Sequence, residues 1–179
     1  MNRFIDKLIK RSELLMEIKW VLNSSKISKI KLLVFDIDGV LTNGKLLINE
    51  NGEISREFNV RDGLGIKLLQ ENNIIVAFIS GAEGKSTIKR ASMLGVSYCF
   101  INIKNKQIAL RELQHKLSIL PSNTAFVGDD VNDLLVKEDV SLLIGTKDSV
   151  PQFSMNADLL LKSCGGMGVA REMSDRILV

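Results

Sequence analysis

Residues 31–44 read KLLVFDIDGVLTNG. Leu32 to Phe35 form a short apolar run of the kind that becomes a fully buried strand. It stops at Asp36, a single apolar residue, Asp38 and Gly39. Two carboxylates two positions apart at the mouth of a buried strand call for a chemical reason. Outward from this stretch, further apolar runs recur at 74–79, 97–101, 124–127, 140–144 and 158–161. Segments of helical period lie between or after them, at 62–71, 84–94, 105–118, 131–138 and 167–178. Strands alternating with helices predict a doubly wound α/β fold, a parallel sheet covered on both faces.

One piece departs from the alternation. The run KLLINENGEISREFNV carries Asn51-Gly52 between two short apolar segments, and Ile54, Arg56, Phe58 and Val60 alternate along the second. This pattern predicts a projecting β-hairpin with a type I′ turn, placed just after the Asp pair. Upstream, Phe4, Ile5, Leu8, Ile9, Leu15, Ile18 and Val21 recur at helical intervals before the break NSSK. Residues 1–30 therefore read as an N-terminal helical extension to a domain spanning 31–179.

A chain of 179 residues is long enough for one domain with a full core. A net charge of +3, with Lys and Arg dispersed, is too small to argue for nucleic acid. No apolar run is long enough to span a bilayer, and charges interrupt the first twenty residues too often for a signal-peptide core. Cys99 and Cys164 have no partner motif and read as reduced thiols. These features together predict a cytoplasmic protein with no membrane or nucleic-acid partner.

Ligands of open α/β sheets bind beyond the carboxyl ends of the strands. The sequence places Asp36 and Asp38 at one such end, Ser80 and Gly81 at the next, and Gly128, Asp129, Asp130 and Asp133 at another. Lys106 opens the helix after 97–101. Each feature has a simpler reading as a turn, an acidic helix cap or a surface charge. Their joint placement argues for chemistry instead. Converging carboxylates need a cation, and hard oxygen donors without His or Cys select Mg²⁺. His115 lies in a helical stretch and reads as a surface residue. A hydroxyl, backbone N–H groups and a lysine suit the oxygens of a phosphoryl group. One carboxylate can then attack phosphorus while another protonates the leaving oxygen.

With these residues in view, the chain resembles the haloacid dehalogenase superfamily of phosphatases from about Lys31 to its end. DIDGVLTNG is similar to the first motif of that superfamily, FISG to the second, Lys106 to the third and GDDVND to the fourth. The resemblance implies Asp36 as nucleophile, Asp38 as general acid/base, Ser80 and Gly81 as phosphate ligands, and Lys106 as charge neutraliser. It implies Mg²⁺ held by Asp36, the backbone carbonyl of Asp38 and Asp129, with Asp130 and Asp133 supporting that shell. The hairpin followed by FNVRDGLGI, the lack of a large cap domain and the ending GGMGVARE are similar to the capless branch acting on phosphorylated sugar acids. That branch comprises the 3-deoxy-D-manno-octulosonate 8-phosphate phosphatases and relatives acting on nine-carbon nonulosonate 9-phosphates. By that resemblance the protein is a homotetramer acting on a small-molecule sugar acid phosphate, in the pathway to lipopolysaccharide. Asn59, the segment from Gly63 to Lys67 and Arg90 would contact substrate, and with no cap to recognise the leaving group, a neighbour's GGMGVARE tail with Arg171 suits the substrate carboxylate.

Ala82 departs from the pattern, because octulosonate enzymes commonly carry Arg there and a nine-carbon relative carries Glu. Two rivals fit less well. GAEGKS approaches a nucleotide-binding P-loop, but the glycine required five positions before Gly84 is Ile79. A non-catalytic oligomerisation domain of this fold could have lost its acidic groups, whereas Asp36, Asp38, Lys106 and Asp129 are all present.

Overall fold

The computed structural model describes residues 14–178. The amphipathic helix expected over 3–22 is described from residue 14, as α1 over 14–22, and its earlier part lies outside the described residues. There follow α2 (Ser24–Ile27), β1 (Leu32–Phe35), the hairpin strands β2 (Leu47–Ile48) and β3 (Ile54–Ser55), α3 (Val60–Glu71), β4 (Ile75–Ile79), α4 (Lys85–Met93) and β5 (Tyr98–Phe100). The second half contains α5 (Lys106–Leu117), β6 (Thr124–Gly128), a 3₁₀ segment (Val131–Asp139), β7 (Leu142–Gly145), α6 (Pro151–Ser154), β8 (Leu159–Leu160) and α7 (Val169–Ile177).

Six strands form one sheet in the order β5-β4-β1-β6-β7-β8, every pair parallel. The expected doubly wound fold is therefore what forms, with strand order reversing beside β1. β1 shows why its sequence is an unbroken apolar run. Leu33 and Phe35 enter the core on one face, while Leu32 and Val34 enter the core on the other. A central parallel strand buried on both faces has no polar side to display.

The hairpin forms with a different turn from the expected one. Gly52 is left-handed, but Asn51 is not. Gly52 N–H donates to Asn49 O at 2.9 Å and Asn49 N–H to Glu53 O at 3.1 Å, so a type I turn is closed by a left-handed glycine. The Asn49 side chain explains the choice, because its oxygen accepts from both Asn51 N–H and Glu53 N–H. β3 is also shorter than the alternation suggested. Phe58 packs on the domain core, and Val60 opens α3 with 82% of its surface exposed.

Two contacts fix the flanks. Gly65 on α3 lets that helix lie directly on α7, since a Cβ there would come within 2.5 Å of Ala170 O. On the far edge, the buried Trp20 of α1 donates its indole N–H to Leu160 O of β8 at 3.0 Å. The Arg176 guanidinium stacks on the same indole at 4.3 Å from its centre. A charged helix thereby covers an otherwise open strand edge. No helix among the described residues is long and apolar enough to cross a membrane.

Candidate active site

Asp36 follows β1 directly and is pinned by its backbone, whose N–H donates to Val127 O of β6 at 2.9 Å. The β1–β6 ladder thus extends one residue past the strand and aims Asp36 at the point where strand order reverses. Ser80 is held alike at the end of β4, with its N–H on Phe100 O at 2.9 Å. Gly39 turns the chain after the acidic pair at φ +88°, which a side chain would disfavour. It also leaves room for Asp129, because a Cβ there would fall 2.0 Å from Asp129 Oδ2. Gly128 does the same for Asp133, whose Oδ2 would be 2.5 Å from a Cβ.

These turns bring the charges together. Lys106, the first residue of α5, is 2% exposed and pairs with Asp36 Oδ1 at 2.8 Å and Asp133 Oδ1 at 2.5 Å. Asp133 is fully buried, and its other oxygen accepts from Asp129 N–H at 3.0 Å. One oxygen from each of Asp36, Asp129 and Asp133 lies within 4.8 Å of the others. Burial, reinforced by the Asp133 charge and opposed by Lys106, pushes the Asp36 carboxyl up to about 7. Burial pushes Asp129 up to about 8, and the charges of Asp36, Asp133 and Asp130 add to it. For the Lys106 ammonium, burial works against the charge, but Asp36 and Asp133 outweigh it and raise its pKa. One lysine is too little positive charge for three carboxylates.

Asp129 Oδ1 is buried and has no hydrogen-bond partner among the described residues, although a carboxylate oxygen in that position is costly to leave unpaired. An unpaired oxygen beside two more carboxylates, with no His or Cys in the group among the described residues, fits a hard divalent cation. Asp38 is placed differently. Its carboxylate is bound at both oxygens by Arg56, Nε to Oδ1 at 2.7 Å and Nη2 to Oδ2 at 3.0 Å.

Around this cluster lies a cavity of about 470 Å³ lined by Asp36, Asp38, Ser80, Gly81, Lys106 and Asp129, with Ala82, Lys104 and Asn132 at its sides. Of the expected substrate contacts, Asn59, Gly63, Lys67, Arg90 and Arg171 do not line it. Asn59 caps α3 and donates to Gly166 O at 3.0 Å. Arg90 donates to Asn59 O at 2.8 Å, faces the Phe58 ring and lies against Gly63. Lys67 is exposed on α3, and Arg171 pairs with Asp175 on α7. Arg56 is the residue that sequence reasoning did not assign to the site. Its alternation with Phe58 was a partial signal, since Phe58 packs on the core, but Ile54 and Val60 of the same alternation are exposed.

The fold and this cluster place the chain in the haloacid dehalogenase superfamily of phosphoric monoester hydrolases, without a cap domain among the described residues. It is 39% identical over 155 residues to 3-deoxy-D-manno-octulosonate 8-phosphate phosphatase KdsC of Escherichia coli K12, covering 87% of this chain and 82% of that one. The crystal structure of the Moraxella catarrhalis 3-deoxy-D-manno-octulosonate 8-phosphate phosphatase, in complex with magnesium, phosphate and KDO, matches with a TM-score of 0.84 at 34% identity. That match covers 87% of this chain and 89% of the other. A Legionella pneumophila hydrolase attributed to subfamily III A of the HAD superfamily matches with a TM-score of 0.87 at 35% identity, over 92% and 91% of the two chains. No family model matches the chain. It belongs to the 3-deoxy-D-manno-octulosonate 8-phosphate phosphatase family.

Proposed function

We propose that this protein is a Mg²⁺-dependent phosphatase of 3-deoxy-D-manno-octulosonate 8-phosphate that works through an aspartyl-phosphate intermediate. The observation carrying this reading is the buried Asp36, joined to Lys106 and flanked by Asp129 and Asp133, at the floor of a cavity of about 470 Å³. The relatives' substrate and the magnesium of the Moraxella structure support it.

In the proposed reaction, an Asp36 oxygen attacks phosphorus and the bond from phosphorus to the sugar oxygen breaks. Asp38 gives its proton to that leaving oxygen. Water then attacks the phosphoryl group on Asp36 and gives a proton back to Asp38, which releases phosphate and restores both carboxyl groups. Lys106 holds the Asp36 carboxylate in place and offsets charge on the phosphoryl oxygens. Ser80 and the backbone at Gly81 bind those oxygens. Asp36, Asp129 and the Asp38 carbonyl would hold Mg²⁺, which supplies positive charge to the transferring group. Asp133 sets this arrangement from behind, through Lys106 and the Asp129 N–H, and the exposed Asp130 would support it by capping the segment that carries Asp133.

Ala82 favours a second substrate. It lines the cavity with a small neutral side chain, so a nine-carbon nonulosonate 9-phosphate should also fit. The exposed apolar residues Leu47, Ile48 and Ile54 of the hairpin support assembly into a homotetramer. In that assembly a neighbour's Lys67 and Arg171 would reach the substrate carboxylate, while Asn59, Gly63 and Arg90 would shape the segment that carries them.

Phosphate release in Mg²⁺ and in EDTA, with the eight-carbon, nine-carbon and glucose 6-phosphate substrates, tests the reading. The sugar acids should lead in kcat/KM, EDTA should stop turnover, and Asp36→Asn should abolish it. A lead for glucose 6-phosphate would remove the sugar-acid assignment, and an active Asp36→Asn would remove the covalent mechanism. Light scattering at micromolar concentration tests the tetramer, which a monomer would exclude.

A further inference from the structure

Arg56 stands immediately after β3, and only 1% of its side chain is exposed, whereas its partner Asp38 keeps 27%. Its guanidinium grips both Asp38 oxygens, at 2.7 and 3.0 Å. The remaining nitrogen, Nη1, is buried without a partner among the described residues. It lies against Gly84 at the start of α4, where a Cβ would come within 2.4 Å of it. The glycine of the GAEGKS run therefore makes the seat for this guanidinium. Among the described residues the hairpin strands have little burial of their own, with Leu47 and Ile48 68% and 65% exposed.

A buried guanidinium is expensive to desolvate, and a two-point hold on a carboxylate fixes the plane of that group as a single contact cannot. We propose that Arg56 is a positioning residue for catalysis: it sets the orientation in which Asp38 exchanges a proton with the leaving oxygen. Each Asp38 oxygen keeps a lone pair beyond the one that Arg56 occupies, so the proton can be exchanged there while both contacts hold the plane. The hairpin then contributes to the chemistry as well as to assembly. The inference rests on the proposed acid/base role of Asp38, and the test separates the two.

A sugar alkoxide needs a proton as it leaves, whereas p-nitrophenolate does not. Turnover of 3-deoxy-D-manno-octulosonate 8-phosphate and of p-nitrophenyl phosphate is therefore compared in Asp38→Asn, Arg56→Gln, Arg56→Lys and Gly84→Ala. Asp38→Asn should lower kcat on the sugar substrate ~10-fold or more beyond its effect on the aryl substrate. Arg56→Gln should show the same bias, with KM changed less than kcat, and Arg56→Lys should restore only part of it. Gly84→Ala keeps Arg56 but fills its seat, and should show the bias too. That variant decides the matter if Arg56→Gln fails to fold. Equal losses on both substrates in Arg56→Gln and Gly84→Ala, with the bias intact in Asp38→Asn, would overturn the positioning role alone. Absence of the bias in Asp38→Asn would overturn the acid/base role and this inference with it.

Discussion

Asp129→Asn should raise the stability of the metal-free protein while destroying its response to Mg²⁺. Asp129 has an ordinary pKa of 3.8 and stands at about 8 in the fold, through burial and the charges of Asp36, Asp133 and Asp130. Below the lower value the carboxyl is protonated in both folded and unfolded chains and has no effect on folding. As pH rises towards 8, the unfolded chain releases the proton first, so the folded state loses stability. The full rise corresponds to ~6 kcal/mol. Water and salt reach this half-buried carboxyl and screen the effect to the order of 2 kcal/mol. Asn is nearly isosteric, keeps the contact over Gly39 and removes the charge. In EDTA at pH 8 the variant should melt about 4–8 °C above the parent protein, and the gain should shrink at pH 5. Saturating Mg²⁺ should reverse the order, because the parent gains ~2.7 kcal/mol at a hundred times Kd and the variant loses a ligand. Thermal scans at both pH values, with and without Mg²⁺, supply the measurement. A variant that melts at or below the parent in EDTA at pH 8 would refute the reasoning, as would equal Mg²⁺ stabilisation of the two proteins.

Lys106→Met should lower kcat by ~10²-fold or more and leave Asp36 and Asp133 facing each other, so its stability in EDTA should also fall; an active variant of unchanged melting temperature would contradict the ion-pair geometry. Gly65→Ala forces a methyl group to within 2.5 Å of Ala170 O and 2.6 Å of Arg171 Cα, and should cost about 1–3 kcal/mol in urea unfolding. Trp20→Ala removes a buried indole, its hydrogen bond to Leu160 O and the stack of Arg176, and should cost about 3–5 kcal/mol. No change in that variant would mean that α1 does not pack on the β8 edge.

Most of the sheet was legible because β1, β4, β6 and β7 are buried on both faces, which demands unbroken apolar runs bounded by turn residues. The catalytic cluster was legible for a related reason. Parallel strands gather their carboxyl ends on one side, so polar residues that interrupt the ends of such runs meet in space. What escaped were features set by contacts across the fold. Asn51-Gly52 predicts a type I′ turn from two residues, but the side chain of Asn49, outside that pair, selects another turn. The packing of Trp20 on Leu160 spans 140 positions and has no local signature. Arg56 is intermediate. It alternates with Phe58, which packs on the core, but also with the exposed Ile54, so only the fold shows that it is buried and identifies Asp38 as its partner.

The site is built from two sources of unequal rigidity. Asp36 and Asp129 are fixed by strand ends, Asp133 by the 3₁₀ segment after β6, and Lys106 by the first turn of α5. Their geometry depends on the core, and it changes only if the core does. Asp38 is held instead by a side chain from a two-stranded hairpin with little apolar burial of its own, and such hairpins are marginal when isolated in water. Whatever steadies the hairpin therefore steadies the proposed proton donor, while the charge-holding half of the site is indifferent to it. If neighbouring subunits cover Leu47 and Ile48, assembly should raise turnover of substrates that need leaving-group protonation more than it raises metal binding. Dilution below the assembly threshold should then reproduce the leaving-group bias of Arg56→Gln in the unmodified protein. Loss of Mg²⁺ affinity on dilution, with no such bias, would show that assembly supports the carboxylate cluster instead.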